Sequence, residues 1–308
     1  MEATALSFGI LMLLQLSAGV TMNAFLLLFY IRMVSASSKF GPSDLILGHL
    51  ALANTMVLLT FGISETLSAW RLRNFLNNGG CKILMYLYRV ARGLAICSTC
   101  FLSVFQAITI SPGTTRWAWI KARLPRCIVP SCLFSWGLSL LIDFDVLLNM
   151  TGPQNSSSVQ LVLDLKYCAK ISASAEITLL IAVVRSLRDL FFMGLMSAAS
   201  GYMVFVLHRH HQQVRHLHVP GRPPGAMPEV RAAKRVMALV TLYVLLYGQQ
   251  TITLSILLNL KKKPPLLVDS HMVLSFTFST VSPFLIIHGD WRMRTFWKRD
   301  SPISHLNP

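Results

Sequence analysis

The run from Cys81 to Pro112 is apolar for most of its length and has no glycine or proline between Gly93 and Pro112. As a helix rising 1.5 Å per residue, about thirty residues reach roughly 45 Å, longer than the ~30 Å hydrocarbon core of a bilayer. Such a helix fits a membrane on a tilt and projects at one end. Counting this stretch as Lys82 to Ile110, seven apolar blocks are long enough to span. The others are about Leu6 to Ile31, Leu45 to Glu65, Cys127 to Leu148, Ile177 to Leu207, Val236 to Leu258 and Leu266 to His288. Apolar residues make up 54% of the 308-residue chain and charged residues 13%, and the apolar ones fall in blocks, which excludes a soluble protein. The expectation is an all-α membrane protein: one seven-transmembrane bundle over 1–308, with no separate soluble domain.

The first block lacks a basic n-region, since it opens Met1-Glu2-Ala3-Thr4. Its apolar run exceeds the roughly 7–15 residues of a signal-peptide core, so it is read as an uncleaved span.

The net charge of +16 would point to nucleic acid in a soluble protein; here its placement decides. Arg32 and Lys39 follow the first block, and Arg116, Lys121, Arg123 and Arg126 follow the third. Arg209, Arg215, Arg222, Arg231, Lys234 and Arg235 precede the sixth, and Arg292, Arg294, Lys298 and Arg299 end the chain. The alternate connections are poorer in basic residues, with Lys261 to Lys263 the one dissent. The positive-inside rule then puts the N-terminus outside and the C-terminus inside. Residues 209–234 become a flexible basic cytoplasmic loop and 290–308 a short cytoplasmic tail. Anionic lipid of the inner leaflet is the natural partner for this charge, and nucleic acid is not expected.

Ionisable residues inside spans are costly, so their positions are informative. Glu65, Arg89, Arg92, Asp143, Asp145, Arg185, Arg188 and Asp189 all fall in the outer halves of their blocks. On the third helix Lys82, Tyr86, Arg89 and Gly93 recur on one face. The sixth helix adds Tyr243, Tyr247 and Gln250, and the seventh adds His271, Ser275 and Thr277. Together they describe an outward-open polar cavity between helices, the usual place for a small-molecule site in a bundle. The expected ligand set is Glu65, Arg89, Arg92, Arg188, Asp189, Tyr247 and Gln250, pointing between helices 2, 3, 5 and 6. For any single residue a structural ion pair is an equal reading: Arg185 with Asp189, or Glu65 and Asp143 with Arg89 or Arg92.

Nothing supports catalysis: the chain has no P-loop, no G-x-S-x-G and no H-E-x-x-H. No cofactor or metal is expected. The tract His208-Arg209-His210-His211 sits among arginines that repel a cation. The pair Cys97 and Cys100 reads as small packing residues one turn apart. A transporter would often show internal repeats or paired broken helices, and neither is found. Cys81 and Cys168 both face the oxidising side, where they either bridge or stay free. Two sequons fall in the same outer loop, at Asn149 and Asn155, of which Asn155 is the better placed acceptor.

The segment GLAICSTCFLSVFQAITISP, from Gly93 to Pro112, resembles the third helix of the vomeronasal type 1 receptors. Gly19 and Asn23, the run His49 to Asn54, Trp136, Met203 to Phe205, Pro228 to Ala232 and Ser279 to Phe284 resemble that family's motifs in the same order. D-R-Y, C-W-x-P and N-P-x-x-Y are missing, as in that family, and Arg188 takes a position often held by His. The resemblance implies a rhodopsin-like, multi-pass receptor of the plasma membrane with a Cys81–Cys168 bridge. It implies a small pheromone or odorant ligand and a heterotrimeric G protein of the inhibitory class. A bitter-taste-type chemosensory receptor is the nearest rival, and a small membrane transporter a more distant one.

Overall fold

The computed structural model describes residues 2–35, 41–70, 76–112, 115–152, 161–165, 168–171, 175–216, 228–259, 264–290 and 293. Its helices are α1 (Glu2–Ser35), α2 (Pro42–Val57), α3 (Ile63–Ala69), α4 (Asn78–Ile110), α5 (Thr115–Ile142), α6 (Asp145–Asn149), α7 (Ala175–His216), α8 (Pro228–Asn259) and α9 (Pro265–Gly289). A π-helical turn, Leu58–Gly62, joins α2 to α3 into one interrupted helix. α5 runs almost directly into α6. Among the described residues these elements contain seven helical stretches apolar and long enough to cross a membrane.

α4 is the axis of the bundle and packs against α2, α5, α7 and α8. Of its most apolar stretch 67% is buried, against 22% for α1 and α7, so the outer helices turn most of their surface to lipid. Leu133, Phe134 and Leu141 on α5 and Leu187, Leu190 and Phe191 on α7 are exposed. An apolar belt of this kind is stable only where the solvent is hydrocarbon.

The motif residues that looked like family signatures turn out to be helix-to-helix joints. A Cβ on Gly19 would lie 2.9 Å from Leu58 Cδ1 and 3.2 Å from the Thr280 Cα, so α1 and α9 meet only because this residue is glycine. One turn on, the Asn23 amide donates to the Gly19 and Ser279 carbonyls at 2.8 and 2.9 Å. Asn54 donates to Ser282 Oγ at 2.9 Å, tying α2 to α9. His49 Nδ1 lies 2.7 Å from Ser98 Oγ, and the His49 ring meets Trp136 edge-on at 6.2 Å, joining α2, α4 and α5. With no hydrophobic drive between helices in lipid, such packing and hydrogen bonds carry the association. Cys97 and Cys100 are buried in the same core, as packing residues.

At the Cys81 end, three short strands form a small sheet in the order β1-β3-β2: β1 (Met150–Thr151), β2 (Leu161–Leu165) and β3 (Cys168–Ile171). β1 also rests on α4. Cys168 in β3 is disulfide-bonded to Cys81 in the first turn of α4, with a Cα–Cα distance of 5.8 Å. The sequence reading had a plain loop here, because strands this short leave little alternation to see.

The other difference is at the Ser111 end. The loop expected over 209–234 is helical at both ends: α7 continues to His216 and α8 starts at Pro228. Hydropathy marks where the membrane ends. It does not mark where the helix ends, and Arg, Gln and His continue a helix into water at little cost. Within the expected tail, only Asp290 and Met293 are among the described residues, and Met293 is fully buried in the core. Asn155 and Lys261 to Lys263 lie outside the described residues.

Candidate functional site

The predicted ligand residues do not form one cluster. They fall into a cavity, an ion-pair network and a link between them. The cavity, of about 30 Å³, is lined by Arg92 and Ala95 of α4, Tyr243, Leu246, Tyr247 and Gln250 of α8, and Val57 of α2. Ser275, Phe278 and Ser279 of α9 complete it. It therefore lies between the second, third, sixth and seventh spans. The fifth span, expected to line it, contributes only from behind.

Arg92 is the chemically decisive residue. Its Nη1 donates to Tyr88 Oη at 3.5 Å, and its guanidinium carbon lies 5.5 Å from the Tyr247 ring centroid. Tyr88 is held by stacking on Phe61, with centroids 4.2 Å apart. Phe61 belongs to the π-helical turn, so this irregularity in the second span helps set the position of the Arg92 partner. Arg92 makes no ion pair among the described residues. A cation held by π faces and a phenol retains donors for an incoming acceptor. Tyr243 stacks on Tyr247 at 6.2 Å and meets Phe278 edge-on at 4.8 Å, forming an aromatic wall. Gln250 donates to the Leu274 carbonyl at 2.7 Å, which fixes its side chain against α9.

Behind this wall lies the ion network. Asp143, fully buried where α5 ends, accepts a hydrogen bond from Arg188 Nη1 at 2.9 Å and forms an ion pair with Arg185 Nε, 2.9 Å away but outside hydrogen-bond geometry. Arg185 also pairs with Asp145. Arg188 Nε reaches Asp189 at 3.0 Å, and Asp189 in turn accepts from the Tyr247 hydroxyl at 3.3 Å. The chain Asp143–Arg188–Asp189–Tyr247 thus runs from α5 through α7 to the cavity wall on α8. The local pairing of Arg185 with Asp189 does not form, because Arg185 turns to the two carboxylates at the end of α5. Gly93 makes room for this crossing: a Cβ there would sit 2.7 Å from Ser139 Oγ and 3.2 Å from Arg188 Nη1.

The polar face read on the third helix is real but does not point into the cavity. Tyr86 donates to the Leu140 carbonyl on α5 at 3.0 Å, and Gly93 meets Ser139 and Arg188. The cavity face of α4 is Tyr88, Arg92 and Ala95 at i, i+4 and i+7, turned by about 120° from the first at 3.6 residues per turn. Arg89 is half-buried within electrostatic reach of Arg185, Arg92 and Asp143, with no hydrogen bond or ion pair among the described residues. Glu65 is fully buried on α3 and does not line this cavity. Asn149 ends α6, and Thr151 of its sequon is 4% exposed in β1. Tyr88 and Ser279 were missed as neighbours of the site. Ser279 carried a signal, since it opens the seventh-helix motif. Tyr88 carried none, as its role depends on Phe61 across the bundle.

A seven-helix membrane bundle with a disulfide-tied cap and a polar cavity between helices is the architecture of a rhodopsin-like receptor. Comparison with known proteins narrows this. The profile of the vomeronasal organ pheromone receptor family matches residues 6–299. Olfactory receptor class A-like protein 1 of Danio rerio is 35% identical over 93% of this chain and 90% of its own length. Vomeronasal type-1 receptor 1 of Gorilla gorilla gorilla is 37% identical over 94% of this chain and 81% of its own. Vomeronasal type-1 receptor 4 of Homo sapiens is 34% identical over 94% and 97%. The chain belongs to the vomeronasal organ pheromone receptor family. It is a multi-pass chemosensory receptor that acts through a G protein, and not an enzyme; the bitter-taste-type and transporter alternatives fall away.

Proposed function

We propose that this receptor binds a small pheromone-like or odorant molecule at the Arg92 cavity, from the Cys81 side, and activates an inhibitory-class G protein at the Ser111 end. The orientation rests on the basic connections: N-terminus and Cys81 end outside, C-terminus inside. The observation that carries the site is Arg92, a half-buried cation facing a cavity with phenols around it and no ion pair among the described residues. It suits a ligand bearing a carbonyl, hydroxyl or acidic group on an apolar frame that packs on Tyr243, Tyr247 and Phe278. Asp189 and Arg188 serve this site by orienting Tyr247. Arg89 adds positive potential behind Arg92, and Glu65 belongs to its outer surroundings.

The size of the cavity supplies a mechanism. At about 30 Å³ it holds roughly two waters, each needing ~10–15 Å³. An odorant-sized molecule enters only by spreading α8 and α9 from α4. Binding is thereby coupled to helix displacement, and the ligand selects the spread state.

The test is a ligand screen in cells with a G-protein readout, repeated with Arg92→Met. Loss of a charge-assisted hydrogen bond should lower potency about 10- to 100-fold. Surface expression should hold, because no carboxylate is left without its partner. Unchanged potency at normal expression would remove Arg92 from the site. A toxin that modifies only inhibitory-class G proteins should abolish the response. For orientation, a protease site inserted beside Gly225 should be cut only after cells are permeabilised, and cleavage on intact cells would invert the topology.

A further inference from the structure

Far from the cavity, at the Ser111 end, a second charged contact joins α8 to α9. Arg235 Nη1 lies 3.6 Å from Asp290 Oδ2, with side chains 8% and 5% exposed. Arg235 sits about two turns into α8, between the fully buried Ala233 and Val236. Asp290 caps the end of α9. The shaft of Arg235 lies directly on Gly289, where an added Cβ would be 2.7 Å from Arg235 Cδ and 3.1 Å from Cγ. Only glycine lets the arginine lie flat across the end of α9 and reach the aspartate.

We propose that the Arg235–Asp290 pair is a latch that holds the inner ends of α8 and α9 together in the resting receptor and opens when the receptor activates. The pair is desolvated yet loose. At 3.6 Å it is beyond hydrogen-bond length, and Arg235 Nε and Nη1 make no hydrogen bond. Attraction in such a pair roughly balances the desolvation of its charges, so separation into water at the bundle end costs little. A contact near balance is suited to a two-state element; a tight bidentate pair would lock it. The other side-chain hydrogen bonds between helices at this end, among the described residues, do not involve α8. Ser111 Oγ lies 3.1 Å from Tyr202 Oη of α7, and Lys121 of α5 donates to the Ser111 carbonyl at 2.7 Å. These join α4, α5 and α7 to one another, while α8 contributes its apolar face and the Arg235–Asp290 pair. Spreading of α8 by a ligand at Arg92 is transmitted along a single helix to this pair. The latch rests on the proposed assignment of the Ser111 end to the G protein.

The experiment uses the full receptor in membranes with an inhibitory-class heterotrimer, reading basal binding of a non-hydrolysable GTP analogue per receptor at the surface. Arg235→Ala and Asp290→Ala should each raise basal activity about three- to tenfold, the range open to a minor state of 0.1–10%. The charge reversal Arg235→Asp with Asp290→Arg should return it toward the unmodified level. Gly289→Ala keeps both charges but displaces the arginine, and should raise basal activity as well. A second readout does not depend on which G protein couples. Spin labels at Arg231→Cys on α8 and Arg126→Cys on α5, with Cys127→Ser, should move apart when Arg235→Ala is added. Single variants that leave both basal activity and label distance unchanged would overturn the latch, as would a charge reversal no better than the singles. Increased label distance without a change in nucleotide binding would uphold the latch and count against the inhibitory-class coupling instead.

Discussion

Replacing Asp143 by Ala is expected to cost about 3 kcal/mol of stability, the lower end of the range for removing one partner of a buried ion pair. Asp143 is fully buried and serves two guanidinium groups, both mostly desolvated. Its loss leaves Arg185 with Asp145 and Arg188 with Asp189, which keeps the cost from the top of that range. The residual imbalance is still severe, since Arg89 lies nearby with no ion pair among the described residues. In detergent the midpoint of thermal unfolding should fall by roughly 6–12 °C, taking about 2–4 °C per kcal/mol. Surface expression should drop with it. Asp145→Ala is the control: among the described residues Asp145 pairs with Arg185 alone and its side chain is 11% exposed, so a smaller loss is expected. Equal losses for the two variants would mean that water reaches the network and that Asp143 is not its centre.

Cys81→Ser should be comparably damaging. The bridge closes a loop of 87 residues of sequence separation, which by chain-entropy arithmetic is worth about 4.6 kcal/mol. Its role is also positional. β3 carries Cys168, both other strands pair with β3 alone among the described residues, and β1 rests on α4. Without the covalent tie, this cap is held by two- to five-residue strands, too short to be stable alone. Cys168→Ser should match Cys81→Ser in surface expression, and the double variant should be no worse than either single one. A double variant clearly worse than the singles would indicate that each cysteine has a separate role.

The two variants separate what the linear chain reveals from what it hides. The Cys81–Cys168 bridge was readable, because topology put both thiols on one side and the third-helix wording named a family in which they pair. Asp143 was visible as a charge inside a span, but its partners were not. The sequence offered Arg89 and Arg92 on the neighbouring helix and Asp189 one turn from Arg185. The fold chose Arg185 and Arg188, because α5 ends where α7 crosses it and Gly93 leaves room for a guanidinium to pass. Helix 3 shows the same limit. Its polar residues occupy two faces about 120° apart, and periodicity could not say which one met the cavity.

Sequence by itself determined the class of this protein. Seven apolar blocks exceed the bilayer thickness, backbone polar groups in lipid must be satisfied within a helix, and the sum of basic residues sets a preferred side. These are properties of each segment against its solvent, so no knowledge of neighbours is needed. The ordered motifs Gly19, Asn23, Asn54 and Trp136 added the family, again without coordinates. Tertiary structure alone decided which polar side chains meet. It put Arg92 with Tyr88 and Tyr247, left Arg89 behind them, gave Asp189 to Tyr247, and set Arg235 on Gly289 beside Asp290. Each of those contacts depends on helix rotation and crossing. These are fixed by side-chain packing across the bundle, a property of pairs of segments that no single segment encodes.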